Sequence, residues 1–484
     1  MSAPARVAVV IGTRPEAIKL ASVVWALHAH PDLTPVVIST GQHRELLAPV
    51  LDDLALIPDH LLDTMTASGD LCGLTARLMD GLGPLLAGAD LDAVVVQGDT
   101  TSALCAALAA FYARIPVAHV EAGLRSGDPH DPFPEELNRK MITVAARWHF
   151  APTHHAADRL HAEGVNPDSV LVTGNTVIDT LAWARQDDRG TSSFDTGRVR
   201  PRVLVTLHRR ESQGPTMAAL GRAVAEVSAR SGADVVLPLH RSPAVRSALV
   251  PTLAGRAGIQ LCEPLGYFDF LATLADADLL LTDSGGALEE AAALGVPTLV
   301  CRETTERPEA LQAGTARLVG TDARRVADQA VALLDDRADR AAMANAPCPF
   351  GDGHAGAHIA TRLAHDITDS FQASPPTDVG TDNASFAAAA ADGNGTTYIS
   401  KAGPRGNQTR IAASTGVTAN GFVATIPRSS GPLAAGDQMV TRLNNTPAGS
   451  APPGTPSSDP GTTIAGPAPV IEPGSADPQP MTKR

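Results

Sequence analysis

Up to about residue 370 the chain alternates short, continuously apolar runs with longer amphipathic stretches. The runs are "RVAVVIG", "TPVVIST", "DAVVVQG", "VAHVEAG", "WHFAPT" and "VLVTGN", followed by "RVLVTLH", "DVVLPLH", "IQLCEPL", "DLLLTDS" and "PTLVCRE". Apolar runs without polar alternation predict strands covered on both faces, and the helical stretches between them supply the covers. Regular strand–helix alternation of this kind builds parallel, doubly wound sheets. The polar stretch from Arg185 to Arg200 interrupts the rhythm and is the predicted domain boundary. The expected fold is α/β, with one Rossmann-like domain over residues 1–184, a second over 185–372, and a cleft between them.

From about residue 373 the pattern stops, and Ala, Gly, Thr, Ser and Pro take over with no Cys or Trp. The Pro-rich end, "NNTPAGSAPPGTPSSDPGTTIAGPAPVIEPGSADPQP", holds too little apolar surface to form a core. "TTYISKAGPRGNQTRIAASTGVTANGFVATIPRSS" contains strand-like fragments that suit a weak β module, although its composition favours disorder. Residues 373–484 are therefore expected to be a low-complexity, disordered tail.

Composition narrows the classes of function. A formal net charge of −14, with no basic run, argues against nucleic acid or an anionic membrane as partner. Hydrophobic residues make up 44% but aromatics only 3%, so the core must be built from Ala, Val and Leu. The five cysteines, Cys72, Cys105, Cys262, Cys301 and Cys348, form no C-x-x-C pair and are expected to be buried thiols of a reducing compartment. "MSAPARVAVVIGTR" has no signal-peptide pattern and no apolar run is long enough to span a bilayer, so the expected location is cytoplasmic, with no membrane contact.

In open parallel sheets ligands bind beyond the carboxyl ends of the strands, and here strand after strand ends in polar chemistry. Following the runs in order come Thr13-Arg14-Pro15-Glu16, Asp99-Thr100, Glu121, Asn175-Thr176, His208-Arg209, His240-Arg241, Asp283-Ser284-Gly285-Gly286 and Arg302. In "GTRPEAIKL", Thr13, Pro15 and Glu16 fit a capping box. Arg14 and Lys19 do not, because positive charge in a first helical turn opposes the macrodipole; a phosphate ligand would reverse that penalty, and a solvent-facing pair balanced by Glu16 is the alternative. In "TDSGGALEE" the glycines let backbone N–H groups approach an anion.

Asp99 reads either as a cleft carboxylate or as the N-cap of "TTSALCAALAAF", and Glu135 either as a cleft carboxylate or as a dipole partner in "PFPEELNRK". Glu121 ends an apolar strand, which is costly for a carboxylate unless it is paired or used. His208 and His240, each ending a strand beside an arginine, read as ligand contacts. No dinucleotide fingerprint follows a strand and no P-loop is present, so nicotinamide binding and P-loop hydrolysis are poor fits; no cluster has metal-ligand spacing, and neither metal nor cofactor is expected.

Together, "GTRPEAIKL", "TGQHREL", "QGDTTSAL", "HVEAGLRSGD", "PFPEELNRK", "TGNTVIDTL", "HRRES", "LTDSGGALEEAAALGVPTLVCRETTERPEAL" and "AGTARLVG" resemble the non-hydrolysing UDP-N-acetylglucosamine 2-epimerases over about residues 7–320. The resemblance implies a GT-B-like pair of Rossmann-like domains, a UDP-sugar substrate, a homodimer, and C2 epimerisation by elimination and re-addition of UDP. It assigns Asp99, Glu121, Glu135 and His208 as catalytic. Substrate binding falls to Arg14, Lys19, Arg139, Ser284, Gly285, Gly286 and Glu290, with Glu290 at the ribose. Arg125 and Arg139 would hold the carboxylates, and Arg302 is a further candidate contact.

Gln42, His43 and His240 match positions of an activating second UDP-sugar site, although "DTMTASGDLCGLTARL" lacks the basic and Gln residues some members carry there. Leu207 replaces a frequent glycine before His208. A GT-B glycosyltransferase, an epimerase that hydrolyses its intermediate to free ManNAc and UDP, and an inactive binding protein are the competing readings.

Overall fold

In the computed structural model, which describes residues 3–41, 44–64, 70–186, 189–194, 199–209, 212–373 and strands between 387 and 442, the apolar runs become strands. The first set is β1 (Ala5–Ile11), β2 (Leu33–Ser39), β3 (His60–Leu61), β4 (Ala93–Gln97), β5 (Val117–Val120), β6 (Trp148–Ala151) and β7 (Val170–Val172). They pair in parallel in the order β3-β2-β1-β4-β5-β6-β7, with Val9 opposite both Val37 and Val95. The second set is β8 (Arg202–Thr206), β9 (Asp234–Pro238), β10 (Ile259–Cys262), β11 (Leu279–Thr282), β12 (Thr298–Val300) and β13 (Ala316–Leu318). Its parallel order is β10-β9-β8-β11-β12-β13.

The absence of polar alternation is explained by where the side chains go. Val7, Val9 and Ile11 of β1 enter one core while Ala8 and Val10 enter the core on the opposite face. In β8, Val203 and Val205 likewise separate from Leu204. Each sheet is therefore covered on both sides, and each residue of such a strand must be apolar. The shortage of aromatics is met by close approach: the helix Thr101–Tyr112 buries Ala103, Ala106, Ala107, Ala109 and Ala110 against the first sheet.

Both sheets reverse their winding once. β1 lies between β2 and β4, and β8 between β9 and β11. Ligands of doubly wound sheets bind at such switch points. The first switch point presents Gly12–Glu16 and Gln97–Thr100; the second presents Leu207–Arg209 and Asp283–Gly286.

The final long helix, Ala355–Ala373, packs on the first sheet's helices and buries Ile359, Leu363 and Ile367 in the core that holds Leu20 and Val24. Trp148 Nε1 donates to Asp366 at 2.7 Å, and Gly356 N donates to Asp179 at 2.8 Å. A Cβ on Gly356 would stand 2.5 Å from the Ser22 carbonyl oxygen, so only glycine allows this helix crossing.

Two sequence expectations change. Cys72 is exposed, at the start of the helix Leu71–Gly88, while Cys105 and Cys301 are buried; all five thiols are free. A cysteine at the first turn of a helix can face outward even in an apolar-looking stretch. The capping box of "GTRPE" is half formed: the Thr13 side chain caps no N–H, whereas Glu16 turns back to accept from Gly12 N at 3.0 Å. No helix among the described residues is long and apolar enough to cross a membrane.

The chain forms two compact units, Met1–Pro375 and Pro376–Arg484. In the second, β14 (Ala387–Ala391), β15 (Thr397–Ala402), β16 (Gln408–Thr418), β17 (Gly421–Ile426) and β18 (Met439–Arg442) pair antiparallel in chain order. The Pro-rich end lies outside the described residues.

Candidate active site

A cavity of about 800 Å³ opens where the carboxyl ends of the two sheets face each other. Asp99, Glu121, Glu135, Lys19 and Arg139 line it from the first half, and His208, His240, Ser284, Gly285 and Gly286 from the second. Residues as far apart in sequence as Lys19 and Gly286 are thus brought to one cavity.

Glu121 follows β5 directly, with φ 63° and 7% exposure. Lys19 Nζ lies 2.7 and 2.6 Å from its two carboxylate oxygens, Gln97 Nε2 donates to it, and Arg307 Nη2 donates at 3.1 Å. Lys19 also meets Glu289 at 2.9 Å, and Arg307 bridges Glu289 and Glu306. Burial by itself would lower the Lys19 pKa, but Glu121 and Glu289 carry it above the ordinary lysine value. Burial opposes ionisation of Glu306 too, yet Arg307, Arg209 and Arg302 hold it well below the carboxylate range. Lys19, Arg209, Arg302 and Arg307 thus meet Glu121, Glu289 and Glu306 in one network, four cations to three carboxylates, which suits an anionic ligand.

Asp99 is not the helix cap. Thr100 caps Thr101–Tyr112 by accepting from Ala103 N at 3.0 Å, and the Asp99 carboxylate turns to Arg139. Arg139 also reaches Glu136 at 3.3 Å. The two carboxylates of "PEEL" divide the work: Glu136 is fully buried and accepts from Ser126 N at 3.0 Å, while Glu135 faces the cavity.

His208 is placed through its backbone. Its N–H and that of Arg209 donate to the buried Asp283 at 2.9 Å, and His208 Nδ1 lies 3.5 Å from the same carboxylate. Leu207, in the position of the frequent glycine, is buried in the second core and leaves this anchor intact. His240 stacks on His208 with ring centroids 5.5 Å apart, and burial followed by the neighbouring His208 lowers its pKa.

Ser284 is the N-cap of the helix Gly285–Leu294. A Cβ on Gly285 would stand 2.5 Å from the Arg307 guanidinium, so this glycine makes room for Arg307; one on Gly286 would meet only open cavity. Arg14, Glu290 and Gly286 line an adjoining apolar recess of about 340 Å³ with Leu265, Tyr267 and Phe270. Arg14 is tied to the Leu265 carbonyl at 3.0 Å, and burial, then Glu289, pushes the Glu290 carboxyl up to about 8.

Some expected contacts fall elsewhere. Arg302 does not line the cavity; it holds Glu306 at 2.6 Å and acts on the site through it. Arg125 pairs with Glu163 at 2.6 Å and not with the cleft carboxylates. Gln42 and His43 lie outside the described residues. Arg307, Glu306, Glu289 and Gln97 were not picked out among the site residues. Glu306 and Arg307 sit within "ETTERPEAL", and the signal that could have found them was this charge density directly after an apolar strand.

Comparison with known proteins agrees with this geometry. A family profile described as UDP-N-acetylglucosamine 2-epimerase matches residues 25–364. The UDP-N-acetylglucosamine 2-epimerase of Salmonella typhimurium strain LT2 is 44% identical over 371 residues, covering 74% of this chain and 98% of that protein. The Bacillus subtilis enzyme of the same name is 42% identical over 359 residues, covering 74% and 94%. Among solved structures, the UDP-GlcNAc 2-epimerase of Neisseria meningitidis bound to UDP-GlcNAc superposes with a TM-score of 0.72 at 38% identity, covering 74% of this chain and all (100%) of that one. The Methanocaldococcus jannaschii UDP-GlcNAc 2-epimerase in complex with UDP-GlcNAc and UDP gives 0.66 at 32% identity, covering 74% and 99%. A GT-B-like pair of doubly wound sheets, a cleft lined by carboxylates and cations from both, and matches of this length have one conclusion: the chain belongs to the UDP-N-acetylglucosamine 2-epimerase family of enzymes.

Proposed function

We propose that the protein interconverts UDP-N-acetylglucosamine and UDP-N-acetylmannosamine without releasing the sugar to water. The proton at sugar C2 is not beside a carbonyl, so it cannot simply be removed and replaced. Elimination solves this: a carboxylate takes the C2 proton, the C1–O bond to UDP breaks, and a C1–C2 double bond forms in 2-acetamidoglucal. In the return step a UDP oxygen bonds to C1 and a carboxyl group delivers a proton to the other face of C2. Atoms and charge balance with no hydride carrier.

In this reading Asp99, Glu121 and Glu135 surround C2. Lys19, Arg307 and the N-terminus of Gly285–Leu294 carry the diphosphate, and stabilise it most when it departs as an anion. Glu290 meets the ribose, Arg14 the adjoining recess, and His208 the leaving group. His240, with Gln42 and His43, is proposed at an activating second site, and the working form is proposed to be a homodimer. The observation that carries the reading is the convergence of those carboxylates with the Lys19–Arg307 network on one cavity.

The test is UDP-GlcNAc incubated with the protein alone in deuterated water, followed by NMR. The expected outcome is UDP-ManNAc carrying deuterium at C2. Accumulating free UDP and ManNAc would make the enzyme a hydrolysing one, and turnover only with an added acceptor would make it a glycosyltransferase.

A further inference from the structure

Glu16 is nearly fully buried at 1% exposure, yet it lines the cavity and is not needed to carry the substrate's charge. Its two carboxylate oxygens join different parts of the fold. Oε2 accepts from Gly12 N, at the end of β1, at 3.0 Å; Oε1 accepts from the Thr100 hydroxyl, at the end of β4, at 2.7 Å. A glutamate serving only its own helix would have no bond to a residue 84 positions away.

The Thr100 hydroxyl is thereby fixed in both roles, donating to Glu16 and accepting from Ala103 N. Asp99 is the adjacent residue, and the turn that carries it is held on both sides. His119 Nε2 lies 2.8 Å from the Gly98 carbonyl oxygen, and Asn138 Nδ2 donates to the Asp99 carbonyl at 2.8 Å. The helix after β1, strand β5 and the helix after β5 therefore grip three consecutive residues, and the side chain of Asp99 is left to point at Arg139 and the cavity.

We infer that Glu16 is a positioning residue for the reaction: it locks the Gly98–Thr100 turn through the Thr100 hydroxyl and so sets the aim of the Asp99 carboxylate at the sugar. The inference rests on the reading of Asp99 as a proton-transfer group given above. Burial pushes the Glu16 carboxyl up to about 7 against the pull of its hydrogen bonds; in the ionised form it is acceptor-only and suits donors on both oxygens, whereas an amide in its place must turn an NH₂ toward one of them. A displacement of about 1 Å in a reacting group is enough to cost roughly 10²-fold in rate.

Two variants isolate the lock. Glu16→Gln changes the acceptor, and Thr100→Val removes the hydroxyl that reads it. Each is expected to lower kcat by about 10–100-fold with KM changed less than about threefold, and the double variant is expected to lose no more than the worse single one, as groups acting through one bond do. Hydrogen–deuterium exchange gives a readout independent of turnover: Glu16→Gln should speed amide exchange in residues 97–103 and leave the second sheet unchanged. An unchanged kcat with unchanged exchange in that segment overturns the inference, as does a fully additive double variant. If wild-type protein makes no UDP-ManNAc, the functional reading falls, and the exchange experiment still decides whether Glu16 locks the turn.

Discussion

At the scale of residues, Glu121 holds a left-handed conformation that a non-glycine residue adopts at a cost of order 1–3 kcal/mol. Its bonds to Lys19, Gln97 and Arg307 offset that cost. Asp99→Asn, Glu121→Gln and Glu135→Gln are each expected to lower turnover by about 10²–10⁴-fold, the usual worth of a positioned acid or base. They should differ in stability. Asp99 and Glu135 are half-buried, and their amides should melt near wild type; Glu121→Gln leaves Lys19 and Arg307 underneutralised and should melt clearly lower. Steady-state kinetics with calorimetry separates the three, and near-wild-type turnover throughout would refute the assignment.

Glu290 supplies a pH test. Its folded pKa is raised from 4.5 to about 8, so between those values the folded state binds more protons than the unfolded one. Stability contributed by this group therefore falls as pH rises through that window. Glu290→Gln removes the titration. The melting temperature of the ligand-free variant minus that of wild type should grow from pH 5 to pH 8.5, and a difference independent of pH would show that the carboxyl is ionised throughout.

At the scale of elements, two glycines make different predictions because different neighbours stand where a Cβ would go. Gly356→Ala places a methyl 2.5 Å from the Ser22 carbonyl oxygen, and backbone cannot yield as a side chain can. The helix Ala355–Ala373 must shift off Arg14–Ala29, and the expected loss is about 1–3 kcal/mol in chemical denaturation. Gly285→Ala meets the movable end of Arg307. Arg307 would leave Glu121 and Glu289 with buried charge less paired, so turnover should fall together with stability. Wild-type turnover in Gly285→Ala would mean that the Arg307 guanidinium keeps its carboxylates despite the methyl.

At the scale of the whole molecule, the compact unit that carries the cavity ends at Pro375. The matches to relatives cover about three quarters of the chain, and the family profile stops at residue 364. Deleting residues from 374 onward is therefore expected to leave turnover, melting temperature and the number of subunits per assembly almost unchanged. A truncated protein that loses activity, or has fewer subunits per assembly than the full chain, would make the tail part of the working enzyme.

How much of this was legible beforehand follows from what each signal depends on. Short, β-branched apolar runs such as "VAVVI" and "AVVV", alternating with helical stretches, fit strands with two covered faces, so the parallel doubly wound class and the ends where polar chemistry gathers were readable from local pattern. Motif resemblance marked Asp99, Glu121, Glu135, Lys19 and the Ser284–Gly286 turn, and these do line one cavity. The capping alternative for Asp99 was undecidable in sequence, because Asp99 and Thr100 are both good caps; only the fold shows that the hydroxyl caps while the carboxylate turns to Arg139. The return of the last helix to the first sheet, the room Gly285 makes for Arg307, and the Glu16–Thr100 bond were invisible for a related reason. Local sequence sets what a segment can bury, but which distant group meets a given carboxylate depends on which strand ends and loops the sheet order places side by side, and that is decided only by packing.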